Sequence, residues 1–234
     1  MITVYTVSYN EELLMQFMID HYKERFPNCQ IVLFDNYSTD KTTEIAKYNG
    51  CEIKLYDTNN KINEHKYLEI KNNCWKSSQT DWVLVCDIDE LLDITQSELE
   101  YEDHLGSTII KSEGYNMVSL DDSQDLFHIK YGIRSTNHDK SYLFNKKSIT
   151  NINYDIGCHV SSPNGMVKMS EKSYLAYHYH FLNKNFVVNK YKRNAQRLSE
   201  ENIENKWGYH YMFSEKEISD WFINLRENAV KIRG

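Results

Sequence analysis

The chain has 234 residues, 41% of them hydrophobic, enough for one large domain with a substantial core. A net charge of −7 excludes a general nucleic-acid binder, which needs basic surface to meet phosphates. None of the five cysteines forms a C-x-x-C pair, which argues against zinc and for reduced intracellular thiols, and no stretch approaches the roughly 20 apolar residues that span a bilayer, so a cytoplasmic chain without a transmembrane segment is expected.

The N-terminus runs directly into "ITVYTV" at 2–7, a β-branched strand pattern with no leader signature before it. Asn10 is placed to cap the next helix, with Glu11 and Glu12 in its first turn. Its apolar stripe is Leu13, Leu14, Phe17, Met18, Tyr22 and Phe26. "QIVLF" at 30–34 is a second strand, ending in the turn-rich "DNYSTDKT". A short helix closing at Gly50, the strand "CEIKLYD" and a longer helix through "NEHKYLEIKNNCWKSS" follow, then the strand "WVLVCDID". Strand and helix thus alternate over residues 2–89, the pattern of a mainly parallel sheet with helices on both faces. In such a sheet the loops "SYNEE", "DNYSTD" and "DIDE" open on one rim, where ligands bind. Farther on, "GYNMVSL", "KSYLFNK" and "SYLAYHYHFL" read as strands, 184–203 as a helix, and Ser214 with Glu217 as a capping box. A single domain is expected, with a nucleotide-binding half over 1–95, an acceptor and metal half over 96–182 and a helical extension over 183–234.

The acids at the end of the fourth strand need an explanation, because neighbouring carboxylates repel and are costly near a core. On an extended segment Asp87 and Asp89 point the same way, as a hard divalent cation requires. A solvated acidic turn is the ordinary alternative. Asp35 ends a strand and is placed to accept from a base or ribose, and Ser38, Thr39 and Asp40 to cap the next helix. Lys71, on the helix leading into the acidic strand, can meet a phosphate, although a helical lysine is usually solvated. In "AYHYHF", alternation puts His178 and His180 on one face, and His159 lies in a turn-rich stretch. Arg197, His210 and Tyr211 can flank a sugar or phosphate, or simply cap the core.

Together "TVSYNEE", "DNYSTDKT" and "DWVLVCDIDELL", with the downstream "DKSYLFN", "INYDIGCHVSSPNG", "AYHYHF" and "RLSEENIENKWGYHY", resemble glycosyltransferase family 2, which has the GT-A fold, and within it a subgroup of small bacterial and large-DNA-virus proteins. The resemblance spans residues 2–211. It implies a nucleotide-diphosphate sugar donor, a glycan or other hydroxyl acceptor, and Mn²⁺ or Mg²⁺. Carried over, Tyr9, Glu11, Asp35, Lys71 and Asp87 hold the nucleotide sugar. Asp87, Asp89 and His178 form the metal shell. The family usually inverts the anomeric centre with a carboxylate base. Asp139 is the first choice here and Asp121 the second, with Asp122 beside it. Two other classes compete. A nucleotidyltransferase typically carries a glycine-rich basic loop after the first strand, where this chain has "SYNEELL". A non-catalytic sugar-binding module does not need the metal carboxylates.

Overall fold

The computed structural model describes residues 1–121 and 125–233. The strands are β1 (Ile2–Ser8), β2 (Gln30–Asp35), β3 (Glu52–Leu55), β4 (Trp82–Asp87), β5 (Glu90–Asp93), β6 (Ile109–Val118), β7 (Tyr131–Arg134), β8 (Leu143–Asn145), β9 (Ile149–Asn151), β10 (Asn164–Gly165), β11 (Met169–Phe181) and β12 (Val230–Lys231). The helices are α1 (Glu12–Arg25), α2 (Thr42–Tyr48), α3 (Glu64–Asn73), α4 (Gln96–His104), α5 (Lys184–Ala195), α6 (Glu200–Glu204) and α7 (Glu215–Asn228). No helix among the described residues is long and apolar enough to cross a membrane.

Among the described residues one ten-stranded sheet runs β12-β7-β6-β8-β4-β1-β2-β3, with β11 beside β6 and β5 beside β11. The pairs β3–β2, β2–β1 and β1–β4 are parallel, as the strand–helix alternation requires. Successive residues of β1 and β4 go to opposite cores. Ile2, Val4, Leu84 and Cys86 pack with the Leu14, Met18 and Tyr22 stripe of α1. Tyr5, Val83 and Val85 pack with Trp75 and Phe144 on the other face. A sheet buried on both sides is what its near-continuous apolar strands demand. The expected fold class is therefore the one found. The second half adds antiparallel partners, β8 on β4 and β7 on β6. A third core, with Val187, Tyr191, Ile218 and Phe222, seats α5 and α7 against the ends of β6 and β11 at Val118 and Phe181.

Three local expectations are corrected. Asn10 does not cap α1. It adopts a left-handed φ of 53°, and its Oδ1 instead accepts the Thr39 N–H at 2.7 Å. The α1 N-terminus is served across the gap by Asp40, whose Oδ2 accepts the Glu12 N–H at 3.1 Å. The helix expected over 184–203 breaks between α5 and α6, because the Arg197 carbonyl accepts the Ile62 N–H at 2.7 Å and Ser199 starts a new cap. Finally, β4 ends at Asp87. Ile88 and Asp89 form a turn closed by the Asp87 N–H, which donates to Glu90 Oε2 at 3.1 Å.

Candidate active site

Parallel register brings three loops to one rim: Ser8 of β1 lies opposite Asp35 of β2, and Val7 opposite Asp87 of β4. The first two loops are stitched together. The Asn10 N–H donates to Ser38 Oγ at 2.8 Å, and the Glu11 N–H to Thr42 Oγ1 at 2.8 Å. Antiparallel pairing of β5 with β11 sets His178 opposite Glu90, and the Tyr179 N–H donates to the Asp89 carbonyl at 2.7 Å. This pairing carries His178 and His180, which share a strand face, to the acidic turn.

The rim encloses a cavity of about 530 Å³ lined by Tyr9, Glu11, Lys71, Asp87, Asp89, Glu90, His178, His180 and Lys190, among others. A smaller cavity of about 340 Å³ shares Tyr9 and adds Asn36, Tyr37 and Asp57.

Each acid of the turn meets its own lysine. Asp87 Oδ1 lies 2.6 Å from Lys71 Nζ, Glu90 Oε1 2.5 Å from Lys140 Nζ, and Asp89 Oδ2 3.0 Å from Lys190 Nζ. With the turn between them, Asp87 and Asp89 each pair with a different lysine. Asp89 Oδ2 also faces His178 Nε2 at 3.8 Å and His180 Nδ1 at 3.7 Å. Burial would raise the Asp89 pKa, but the Lys190 charge and the two imidazoles hold it well below the ordinary carboxylate value. Burial would likewise raise Asp87, yet Lys71 and Lys140 lower it. Lys71 is thus a buried ion-pair partner, not a solvated face.

Asp89, His178 and His180 place one carboxylate oxygen and two ring nitrogens within 4.8 Å of one another. This donor set fits a divalent cation such as Mn²⁺. Of the expected shell, Asp89 and His178 fall in this group, His180 joins them, and Asp87 pairs with Lys71. The outer ring nitrogens are fixed: His178 Nδ1 pairs with Asn116 Oδ1 at 2.7 Å, and His180 Nε2 with the Tyr191 hydroxyl at 2.9 Å.

The other anticipated residues divide. Tyr9 lines both cavities, with the Arg197 guanidinium 3.4 Å from its ring centre. Glu11 is ion-paired to Lys190 at 3.1 Å and Arg193 at 2.8 Å. Asp35 lies beneath the rim. Its Oδ2 accepts the Ser38 N–H at 2.8 Å, and its Oδ1 is buried without a hydrogen-bond partner among the described residues. His159, Arg197, His210 and Tyr211 also line the larger cavity. The two candidate bases, Asp139 and Asp121, are not among the lining residues. Partial burial would raise the Asp139 pKa, but bonds from Arg134 at 2.6 Å and the Gly114 N–H at 2.8 Å lower it. Asp121 accepts from Ser119 Oγ at 3.0 Å, and Asp122 lies outside the described residues. Glu90, one of the clustered acids, lines the cavity, and sequence reasoning missed Glu64, His138, Lys140 and Lys190, which line it too.

Five imidazoles cross this cavity in contact. Ring centres are 5.9 Å apart for His159–His138, 4.0 Å for His138–His178, 5.3 Å for His178–His180 and 6.3 Å for His180–His210. Burial lowers the pKa of all five, to about 4 for His138 and His210. Burial also lowers His21, on the buried face of α1, to about 3. There the Nε2 pairs with the Leu92 carbonyl at 2.9 Å. A histidine that protonates at its ordinary value when unfolded, and only near pH 3 when folded, leaves stability intact above about 6.5 and erodes it as the pH falls towards 3. For His21 the loss between pH 7 and pH 5 is about 2 kcal/mol. His21→Gln is expected to flatten the fall of Tm across that interval. An unchanged slope in the variant would show that His21 carries none of it.

The sequence profile of the family described as Glycosyl transferase family 2 matches residues 3–99. Among solved structures, S. aureus TarS 1–349 in complex with UDP is 16% identical with a TM-score of 0.47, over 95% of this chain and 70% of that one. The same protein in complex with UDP-GlcNAc is 14% identical with a TM-score of 0.44, over 97% and 74%. The mannosyltransferase PcManGT from Pyrobaculum calidifontis, in complex with GDP-Man and Mn²⁺, is 13% identical with a TM-score of 0.45, over 84% and 61%. No curated protein sequence matches this chain. The matched stretch, residues 3–99, holds Asp35, Lys71, Asp87 and Asp89, and in it this chain is similar to glycosyl transferase family 2.

Proposed function

We propose that this protein is a metal-dependent glycosyltransferase moving a sugar from a nucleotide-diphosphate sugar to a hydroxyl of a glycan or glycoprotein acceptor, with inversion at the anomeric carbon. The observation that carries the reading is the acidic turn at the carboxyl end of β4, opening into one cavity together with three lysines and an Asp–His–His donor set. Asp89, His178 and His180 would hold Mn²⁺ or Mg²⁺, which when bound offsets the charge of the departing diphosphate as a Lewis acid. Lys71 supplies a point charge for the phosphates. Tyr9 offers a ring where the two cavities meet. The rival nucleotidyltransferase reading predicts pyrophosphate as product, whereas glycosyl transfer releases a nucleoside diphosphate.

A thermal-shift panel of UDP- and GDP-sugars, with and without Mn²⁺, tests the donor assignment. A donor at 100 times its Kd stabilises the protein by about 2.7 kcal/mol, or several degrees in Tm. Absence of any shift across the panel, in either condition, would remove the nucleotide-sugar reading.

A further inference from the structure

Lys190 lies where a bound cation would act. Its ammonium is 3.0 Å from Asp89 Oδ2 and 3.1 Å from Glu11 Oε1, and its side chain is 8% exposed. Asp89 Oδ2 is also the oxygen that faces His178 Nε2 and His180 Nδ1. One carboxylate oxygen therefore serves both the lysine and the donor set. A divalent ion on Asp89 and an ammonium beside the same oxygen repel each other strongly at this range in a partly desolvated cavity.

We propose that Lys190 is a built-in competitor of the divalent cation, holding Asp89 when the metal is absent and yielding it when the metal binds. The inference rests on the metal site proposed above and goes beyond it. The arrangement lets the exchange happen without stranding a charge. When Lys190 leaves Asp89 it keeps Glu11, and Glu11 is also held by Arg193 at 2.8 Å. The ammonium also lies 5.7 Å from the Phe186 ring centre, a second contact beside Glu11 that can hold it once it leaves Asp89. The lysine therefore lowers the affinity for the metal while sparing the apo protein an unpaired buried carboxylate.

The test is a titration of the full chain with Mn²⁺ alone, following free Mn²⁺ by its electron paramagnetic resonance signal. Lys190→Met keeps the stem and removes the charge, and it is expected to bind Mn²⁺ at least about tenfold more tightly than the wild type. Asp89→Asn is the control that loses the site. Lys190→Gln, which keeps a hydrogen-bond donor, guards against misfolding of the methionine variant and is expected to shift affinity in the same direction. Folding of each variant is checked by its unfolding transition. A folded variant with unchanged or weaker Mn²⁺ affinity overturns the competitor role and leaves the metal site standing. Failure of every protein, wild type included, to bind Mn²⁺ overturns both.

Discussion

Asp89→Asn is expected to lower glycosyl transfer by about 10²–10³-fold, the usual cost of deleting one preorganised electrostatic group from a site. Asparagine keeps the shape and loses the charge. The Asp89 carbonyl, which accepts from Tyr179, is untouched, and Lys190 retains Glu11 at 3.1 Å. Stability therefore holds while the cation loses its anionic ligand. The check is a steady-state assay of nucleoside diphosphate release alongside a thermal melt. Wild-type turnover in a folded Asp89→Asn protein would take Asp89 out of the chemistry. A low turnover that follows a collapsed melt would mean that Asp89 acts through the fold.

The largest stability effect belongs to a different pair. Lys140 and Glu90 are each 4% exposed at the side chain and meet at 2.5 Å. Lys140→Met leaves the Glu90 carboxylate with the Asp87 N–H and with His138 Nε2 at 3.8 Å. Burial keeps that imidazole neutral, its pKa lowered to about 4, so it supplies no charge. An unpaired buried charge of this kind costs about 3–5 kcal/mol, a large share of the roughly 5–15 kcal/mol that holds a domain together. Adding Glu90→Gln removes the stranded charge and keeps an acceptor for the Asp87 N–H, so the double variant is expected to recover much of the loss. Chemical denaturation of the wild type, both single variants and the double variant gives the coupling directly. Additive losses would mean that the two groups do not act as a pair.

The question raised by acids at the end of a greasy strand has an answer that no local pattern holds. The strand, the acids and the rim were legible, because alternation of strand and helix fixes where carboxyl ends gather. The partners were not. Lys140 lies 50 residues from Glu90, and Lys190 lies 101 from Asp89, so only the folded sheet brings them together. The reading of "DID" as an extended pair missed the turn, because the closing bond comes from Glu90, a residue outside that motif. His178 and His180 were correctly set on one strand face, but β5, which pairs with β11 and carries them to Asp89, is only four residues long. Helix α4 was readable and unread. Thr95 and Glu98 make the same capping box as Ser214 and Glu217. The break between α5 and α6 was not readable, since it follows from a distant backbone pairing of Arg197 with Ile62.

The central claim is that the cavity beyond β4 receives a diphosphate and a divalent cation together. A crystal of the full chain grown with Mn²⁺ and the sugar nucleotide that best raises Tm tests it most directly, through the anomalous signal of manganese. The predicted result is a manganese peak bounded by Asp89, His178 and His180, with the diphosphate between it and Lys71. Manganese elsewhere on the surface, or a nucleotide lodged outside this cavity, would contradict the account.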